Sequence, residues 1–298
     1  NLQANANTGW VFSHWTVTSG AMGLATSVPN NFINLTGPNT IVAVFVPDVP
    51  DIDGDGCFRV EGNYCRLQIA QATWNLHLLE LLQEKFGGKI TKCKKGPNTH
   101  YYYLSDRNSL IEIAHGINGN IRATNRIVQF QNLCNVFHIN YQSPCAMNMN
   151  NSYLGGFFDA DGCIDYNSGK RALEVSACSK YCNDVKVFEF MFKGNTLTKK
   201  NGNAFEWKIG AKSDVLFAHK YFEANVKSNK LIRMKLIPLF YELKDKRAYN
   251  ADSPYHSTWN EMLENWYDNG ADLYRKDCAG RPHSSKARME RNTEDKNE

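Results

Sequence analysis

A chain of 298 residues with 42% hydrophobic, 12% aromatic and 21% charged side chains sits near globular averages, which excludes disordered, collagen-like and coiled-coil classes and leaves room for one large or two ordinary domains. Its longest strongly apolar run, Ile41 to Val46, is far below the ~20 residues of a bilayer-crossing helix, so no membrane partner is expected. Thirty-four basic against thirty acidic side chains leave +4, a mild excess that permits a nucleic-acid partner and hands the decision to where the charges lie.

In chain order, residues 1–40 are polar and rich in Thr and Asn, without the basic and apolar regions of a secretory signal. They read as an N-terminal extension of unknown role, and the missing initiator Met suits a processed, fused or truncated product. Nine cysteines, an odd number without a CxxC pair, favour a reducing compartment over a disulfide scaffold or a structural zinc. From Cys57 to Glu61 and Tyr64 to Gln71 the residues alternate as strands around the turn pair Gly62-Asn63. Trp74 to Phe86 carries leucines at helical spacing and stops at Gly87-Gly88. A second hairpin is expected over Lys89–Lys94 and Thr99–Leu104, then helices over Ser109–His115 and Thr124–Phe137. After a linker at 138–152 the pattern returns: hairpin strands at Cys163–Tyr166 and Ala172–Cys178, a helix over Val185–Phe192, strands at Thr196–Lys200 and Ala204–Ala211, and helices over Val215–Ala224 and Asn229–Tyr249. The division is then a first repeat over 41–137, a second over 153–250 and a polar tail over 251–298.

The repeat is anchored by two acidic segments, Asp51-Ile-Asp-Gly-Asp-Gly-Cys-Phe58 and Phe157-Phe-Asp-Ala-Asp-Gly-Cys-Ile164. An isolated DxDG can simply end a helix; its recurrence ahead of equivalent hairpins is far more specific. Leu154-Gly-Gly-Phe-Phe-Asp-Ala-Asp-Gly162 resembles the motif of LAGLIDADG homing endonucleases, and the duplicated layout is similar to their single-chain, two-repeat members over roughly Asp48 to Tyr249. The resemblance implies an α+β fold of tandem pseudo-twofold αββαββα repeats, forming a saddle-shaped antiparallel sheet backed by helices. It also implies a monomeric, site-specific endonuclease acting on a long double-stranded DNA target, encoded in an intron and resident in a mitochondrion or chloroplast. The alternative is an intron RNA maturase or a catalytically silent nucleic-acid-binding relative.

Small residues let two motif helices pack closely: Gly156 and Ala160 are four apart on one face, with Gly54 opposite. Asp55 and Asp161 then meet, and two adjacent carboxylates repel unless a cation lies between them. Oxygen donors suit a hard divalent ion, Mg2+ with Mn2+ as its substitute, able to activate water for phosphodiester hydrolysis. The resemblance adds the backbone carbonyls of Gly54 and Ala160 as metal ligands. It also places a basic residue beside each centre, Arg126 and Lys230, with Arg122 and Lys227 as neighbours able to exchange roles. The first motif departs from the family pattern: Pro50 stands where a small residue would pack and Asp51 where an apolar one is usual, which suits only a short helix beginning near Asp48.

Strand alternation supplies a reading surface. Arg59, Arg66 and Gln68 fall on the face opposite Leu67 and Ile69, and Arg and Gln are readers of guanine and adenine. Lys89, Lys92, Lys94 and Lys95 form a basic run suited to phosphates, and Lys199, Lys208 and Lys212 are expected to face the duplex in the second copy. Asp165 and Glu174 on that nominal face oppose them locally.

Overall fold

The computed structural model describes residues 2–3, 10–17, 30–31, 41–47, 54–94, 96, 98–144, 146–199 and 202–268. Asp48 to Asp53, with Pro50 and Asp51, lie outside the described residues, as does Lys95. Ahead of the first motif, Leu2–Gln3 (β1) pairs with Asn30–Asn31 (β3), and Trp10–Val17 (β2) pairs antiparallel with Ile41–Pro47 (β4). Residues 41–47, expected inside the first repeat, therefore take their strand partner from the N-terminal extension.

The first repeat runs Gly56–Glu61 (β5), Tyr64–Ala72 (β6), a single 3-10 turn over Thr73–Asn75, Leu76–Phe86 (α1), Lys89–Lys92 (β7), Thr99–Leu104 (β8), Arg107–Ile117 (α2) and Thr124–Phe137 (α3). Its hairpin turns at Gly62, whose φ of +60° an L side chain rarely adopts. The second repeat runs Tyr153–Asp161 (α4), Gly162–Asn167 (β9), Ala172–Ser179 (β10), Cys182–Phe192 (α5), Asn195–Thr198 (β11), Phe205–Ile209 (β12), Lys212–Asn225 (α6) and Lys230–Asp245 (α7). Each repeat builds one antiparallel four-stranded sheet in the same order, β5-β6-β8-β7 and β9-β10-β12-β11. The α+β duplication is thus written into both connectivity and pairing.

Alternation decides which face is covered. Cys65, Leu67 and Ile69 of β6 are buried with Tyr102 of β8 against α1, α2 and α3. Leu173, Val175 and Trp207 are buried the same way in the second repeat. The two apolar clusters are separate, one per repeat. Three helices start earlier than their apolar residues alone suggest, among them α6, which opens at Lys212 with Asp214 in its first turn. Asp106 accepts from Ser109 N at 2.9 Å and so opens α2 at Arg107, and α5 begins at Cys182 with Asp184 in its first turn.

The expected polar tail is corrected in part. His256–Asp268 forms an eighth described helix, α8, burying Trp259, Met262 and Trp266 in the second core. Arg233 of α7 fastens it, with Nε donating to the Trp266 carbonyl at 3.0 Å and Nη1 to that of Ile164 at 3.3 Å. Residues from 269 onward lie outside the described residues.

Candidate active site and nucleic-acid interface

The two motif segments touch through their smallest residues. A Cβ built on Gly54 would lie 2.4 Å from the Ala160 Cβ and 3.4 Å from the Gly156 carbonyl oxygen, so Gly54, Gly156 and Ala160 form one seam that no larger side chain at 54 could enter. Gly155 faces elsewhere, against Asn225 at the end of α6. This seam brings Asp55 and Asp161 to one cleft of about 560 Å³, lined also by Arg126, Lys180, Tyr181 and Asp184.

Neither aspartate rests easily. Burial, reinforced by the charge of Asp161, pushes Asp55 up to about 6, against the pull of Lys230, the Gln71 hydrogen bond and Arg126. Burial also raises Asp161, with Lys230 and Arg126 opposing and Asp184 adding to the rise. Two desolvated carboxylates held near one another are the electrostatic signature of a site short of positive charge.

Two cations reach in, one from each repeat, and they are placed alike. Arg126 of α3 donates from Nη2 to the Gly54 carbonyl at 2.9 Å. Lys230, the first residue of α7, donates from Nζ to the carbonyls of Phe158, Asp159 and Ala160 at 2.9, 2.6 and 3.2 Å. Burial lowers the Lys230 pKa despite Asp159, Asp55 and Asp161. The loop before Lys230 is tied down by Asp159, whose carboxylate accepts from Lys227 N at 2.8 Å and Ser228 N at 2.9 Å. All four expected catalytic positions, Asp55, Asp161, Arg126 and Lys230, therefore converge. Arg122 and Lys227 are not the side chains that contact the motif carbonyls in the bonds above.

Two further residues join that a linear reading does not find. Gln71 donates from Nε2 to Asp55 at 2.7 Å, reached because β6 runs one step past its apolar alternation and places a buried amide at its end. Ser179 holds the matching strand end in the second repeat and donates to Asp184 at 3.0 Å. The donors at the seam itself are oxygens: two carboxylates and the Gly54 and Ala160 carbonyls, whose second lone pairs remain after the Arg126 and Lys230 bonds. That chemistry, together with an unbalanced carboxylate pair, fits a hard divalent cation.

On the open face of the first sheet, Arg59 pairs with Arg66 and Cys57 with Gln68 in register, and Gln68 in turn faces Tyr103. Arg66 stacks 5.1 Å over Tyr103, and Tyr103 stacks on Tyr101 at 5.9 Å. Arg66 Nε is buried and has no hydrogen-bond partner among the described residues. Lys92, exposed at the end of β7, pairs with His100 in the parity of Ile90 and Tyr102, whereas Lys89 pairs with Tyr103 in the parity of the open face. Lys94 is exposed just beyond β7.

The second sheet is differently charged. Lys208 of β12 pairs with Glu174 at 3.0 Å and Lys199, one residue past β11, with Glu206 at 3.5 Å, so each of these lysines has an acidic partner in place. Asp165 lies across from Glu174 on the same face. Lys212 is not on the strand surface at all: it opens α6 and bonds Asp245 at the end of α7, 2.5 Å away.

Comparison with known proteins agrees with this architecture. Residues 52–137 match the family model described as LAGLIDADG endonuclease. The chain is 34% identical over 228 residues to the intron-encoded RNA maturase bI4 of Saccharomyces cerevisiae, covering 73% of this chain and 36% of that protein. It is 32% identical over 234 residues to the probable intron-encoded endonuclease aI2 of Debaryomyces hansenii, covering 72% and 35%. It thus spans about a third of each of those relatives. The intron-encoded DNA endonuclease ai2a of Dictyostelium discoideum is 27% identical, with 72% of both chains covered. Among solved structures, the fold matches meganuclease I-SmaMI bound to uncleaveable DNA with a TM-score of 0.55 at 15% identity, covering 75% of this chain and 96% of that one. It matches the I-LtrWI homing endonuclease bound to target DNA with a TM-score of 0.54 at 12% identity, covering 72% and 95%.

Proposed function

The chain belongs to the LAGLIDADG endonuclease family, and from that membership we propose that it is a site-specific endonuclease hydrolysing both strands of duplex DNA at a long target, with Mg2+ as the working ion and an organelle as its compartment. One observation carries the reading: Asp55 and Asp161, 106 positions apart in the chain, line one cleft because Gly54 lies against Ala160. A divalent cation held by these carboxylates and the Gly54 and Ala160 carbonyls would supply electrophilic activation of a phosphodiester and of water.

The chain's own groups do the rest. Arg126 and Lys230 set positive charge at the carbonyl before each aspartate, where charge would build on a phosphodiester being cleaved. Gln71 holds one oxygen of Asp55, which itself lines the cleft. The Arg59, Arg66 and Gln68 face would read base edges in the major groove, with Tyr101 and Tyr103 limiting the rotamers of Arg66.

Incubation with a library of duplexes and Mg2+ tests the proposal: double-strand products of fixed stagger are expected, and Asp161→Asn should abolish them while binding persists. A second reading has one specific support, the similarity to an RNA maturase. Selective retention of structured intron RNA, with no DNA cut by the wild type, would favour it.

A further inference from the structure

Helices α3 and α7 carry the two cations of the site at their N-termini, where backbone N–H groups need outside acceptors. The residues at their cap positions, Ala123 and Asn229, supply no side-chain cap bond of their own. In both cases the acceptor comes from the other repeat. Asn75 of the first repeat, buried, accepts from Asn229 N through Oδ1 at 3.0 Å. Asp184 of the second repeat, also buried, accepts through Oδ1 from Thr124 N at 3.1 Å and from the Thr124 hydroxyl at 2.5 Å. Lys230 follows Asn229 by one residue and Arg126 follows Thr124 by two. Each cap therefore sets the helix start that launches the opposite repeat's basic side chain.

Both caps are themselves fixed by the hairpin end of their own repeat. Asn75 donates from Nδ2 to Gln71 Oε1 at 3.2 Å, and Gln71 in turn holds Asp55. Asp184 accepts the Ser179 hydroxyl through its other oxygen. A continuous path then runs from Asp55 through Gln71, Asn75 and the α7 start to Lys230 and the Ala160 carbonyl. Its counterpart runs from Ser179 through Asp184 and the α3 start to Arg126 and the Gly54 carbonyl. His77 Nε2 adds a third crossing at 3.1 Å to the Lys227 carbonyl.

We propose that Asn75 and Asp184 are reciprocal positioning residues, each fixing the cation of the opposite repeat, so that neither cutting centre is complete without a residue from the other half. The proposal rests on the cleavage reading only for its kinetic consequence. The crossing itself concerns how two helix starts are held.

The two parts are tested separately. Hydrogen exchange on the full chain reads the crossing: Asp184→Ala should speed exchange at residues 123–127 and spare 229–233, and Asn75→Ala should do the reverse. Asp184→Asn, which keeps both acceptor and shape, should restore protection. Cleavage of a duplex labelled on each strand in turn reads the consequence: the two alanine variants should slow opposite strands, by about tenfold or more for a displaced cation, so that nicked product accumulates. Loosening of both helix starts by either variant, or equal slowing of both strands, overturns the proposal and leaves ordinary packing residues. If the wild type cuts no DNA, the cleavage reading fails, and the exchange pattern alone decides the positioning role.

Discussion

Replacing Asp55 with Asn tests the electrostatics of the site without touching its shape. The folded protein holds a proton on Asp55 up to about 6 against 3.8 for a free side chain, so folding is favoured by protonation there. That contribution is complete below pH 3.8 and is lost as pH rises through about 6. At about 1.36 kcal/mol for each pH unit separating these two values, the ionised carboxylate costs about 3 kcal/mol by pH 7.5. The substituted amide would keep the Gln71 bond and carry no charge. Urea unfolding in EDTA should therefore find Asp55→Asn more stable than wild type by up to about 3 kcal/mol at pH 7.5. The gap should narrow steadily towards pH 4. Adding Mg2+ should stabilise the wild type and leave the variant nearly unmoved, because only a cation that binds the native state shifts its stability. A pH-independent difference between the two proteins, or a less stable variant at pH 7.5 without metal, would refute the assignment of strain to this carboxylate.

Other substitutions probe other levels. Gly54→Ala puts a methyl where the seam leaves 2.4 Å, so unfolding should show a loss of roughly 1–3 kcal/mol and cleavage should fall further than DNA binding does. Arg66→Ala should relax base preference at one target position by about 1–3 kcal/mol in a selection assay, whereas Lys89→Ala should weaken all sequences alike and flatten the salt slope by about one. Trp266→Ala, removing a buried anchor of α8, should destabilise the protein by about 3–5 kcal/mol in thermal or urea melts, with no change in sequence preference.

Local signals carried the hairpins and most helices. Thr124–Phe137 ends where Phe137 completes an apolar stripe, and the Gly62 turn sits where alternation reverses. The paired aspartates were legible because duplication repeats the motif in one chain. What escaped is tertiary. The polar look of 251–298 hid α8, since Trp259, Met262 and Trp266 are spaced by three and four among polar neighbours and show their purpose only against α7. A run of lysines does not reveal strand parity, which sets Lys89 with Tyr103 and the exposed Lys92 with His100. Lys199, Lys208 and Lys212 read as open charges until their acidic partners, 7 to 34 residues away in sequence, were brought beside them. Asn75 and Asp184 are ordinary polar residues at helix starts in the sequence, and only the crossing of repeats brings them their donors, Asn229 N and Thr124 N.

The separateness of the two apolar clusters has a calorimetric meaning. Among the described residues no buried apolar cluster spans the halves: they share a strip of small residues, the stacking of Arg122 on Tyr153 and a handful of polar bonds, while the later half is thickened by Trp207, Trp259 and Trp266. Cooperative melting needs energetic traffic between parts, and this junction carries little of it, so a scanning trace should resolve into an early endotherm for residues 54–137 and a later one for 153–268. Any ligand gripping both halves at once would draw the two peaks together.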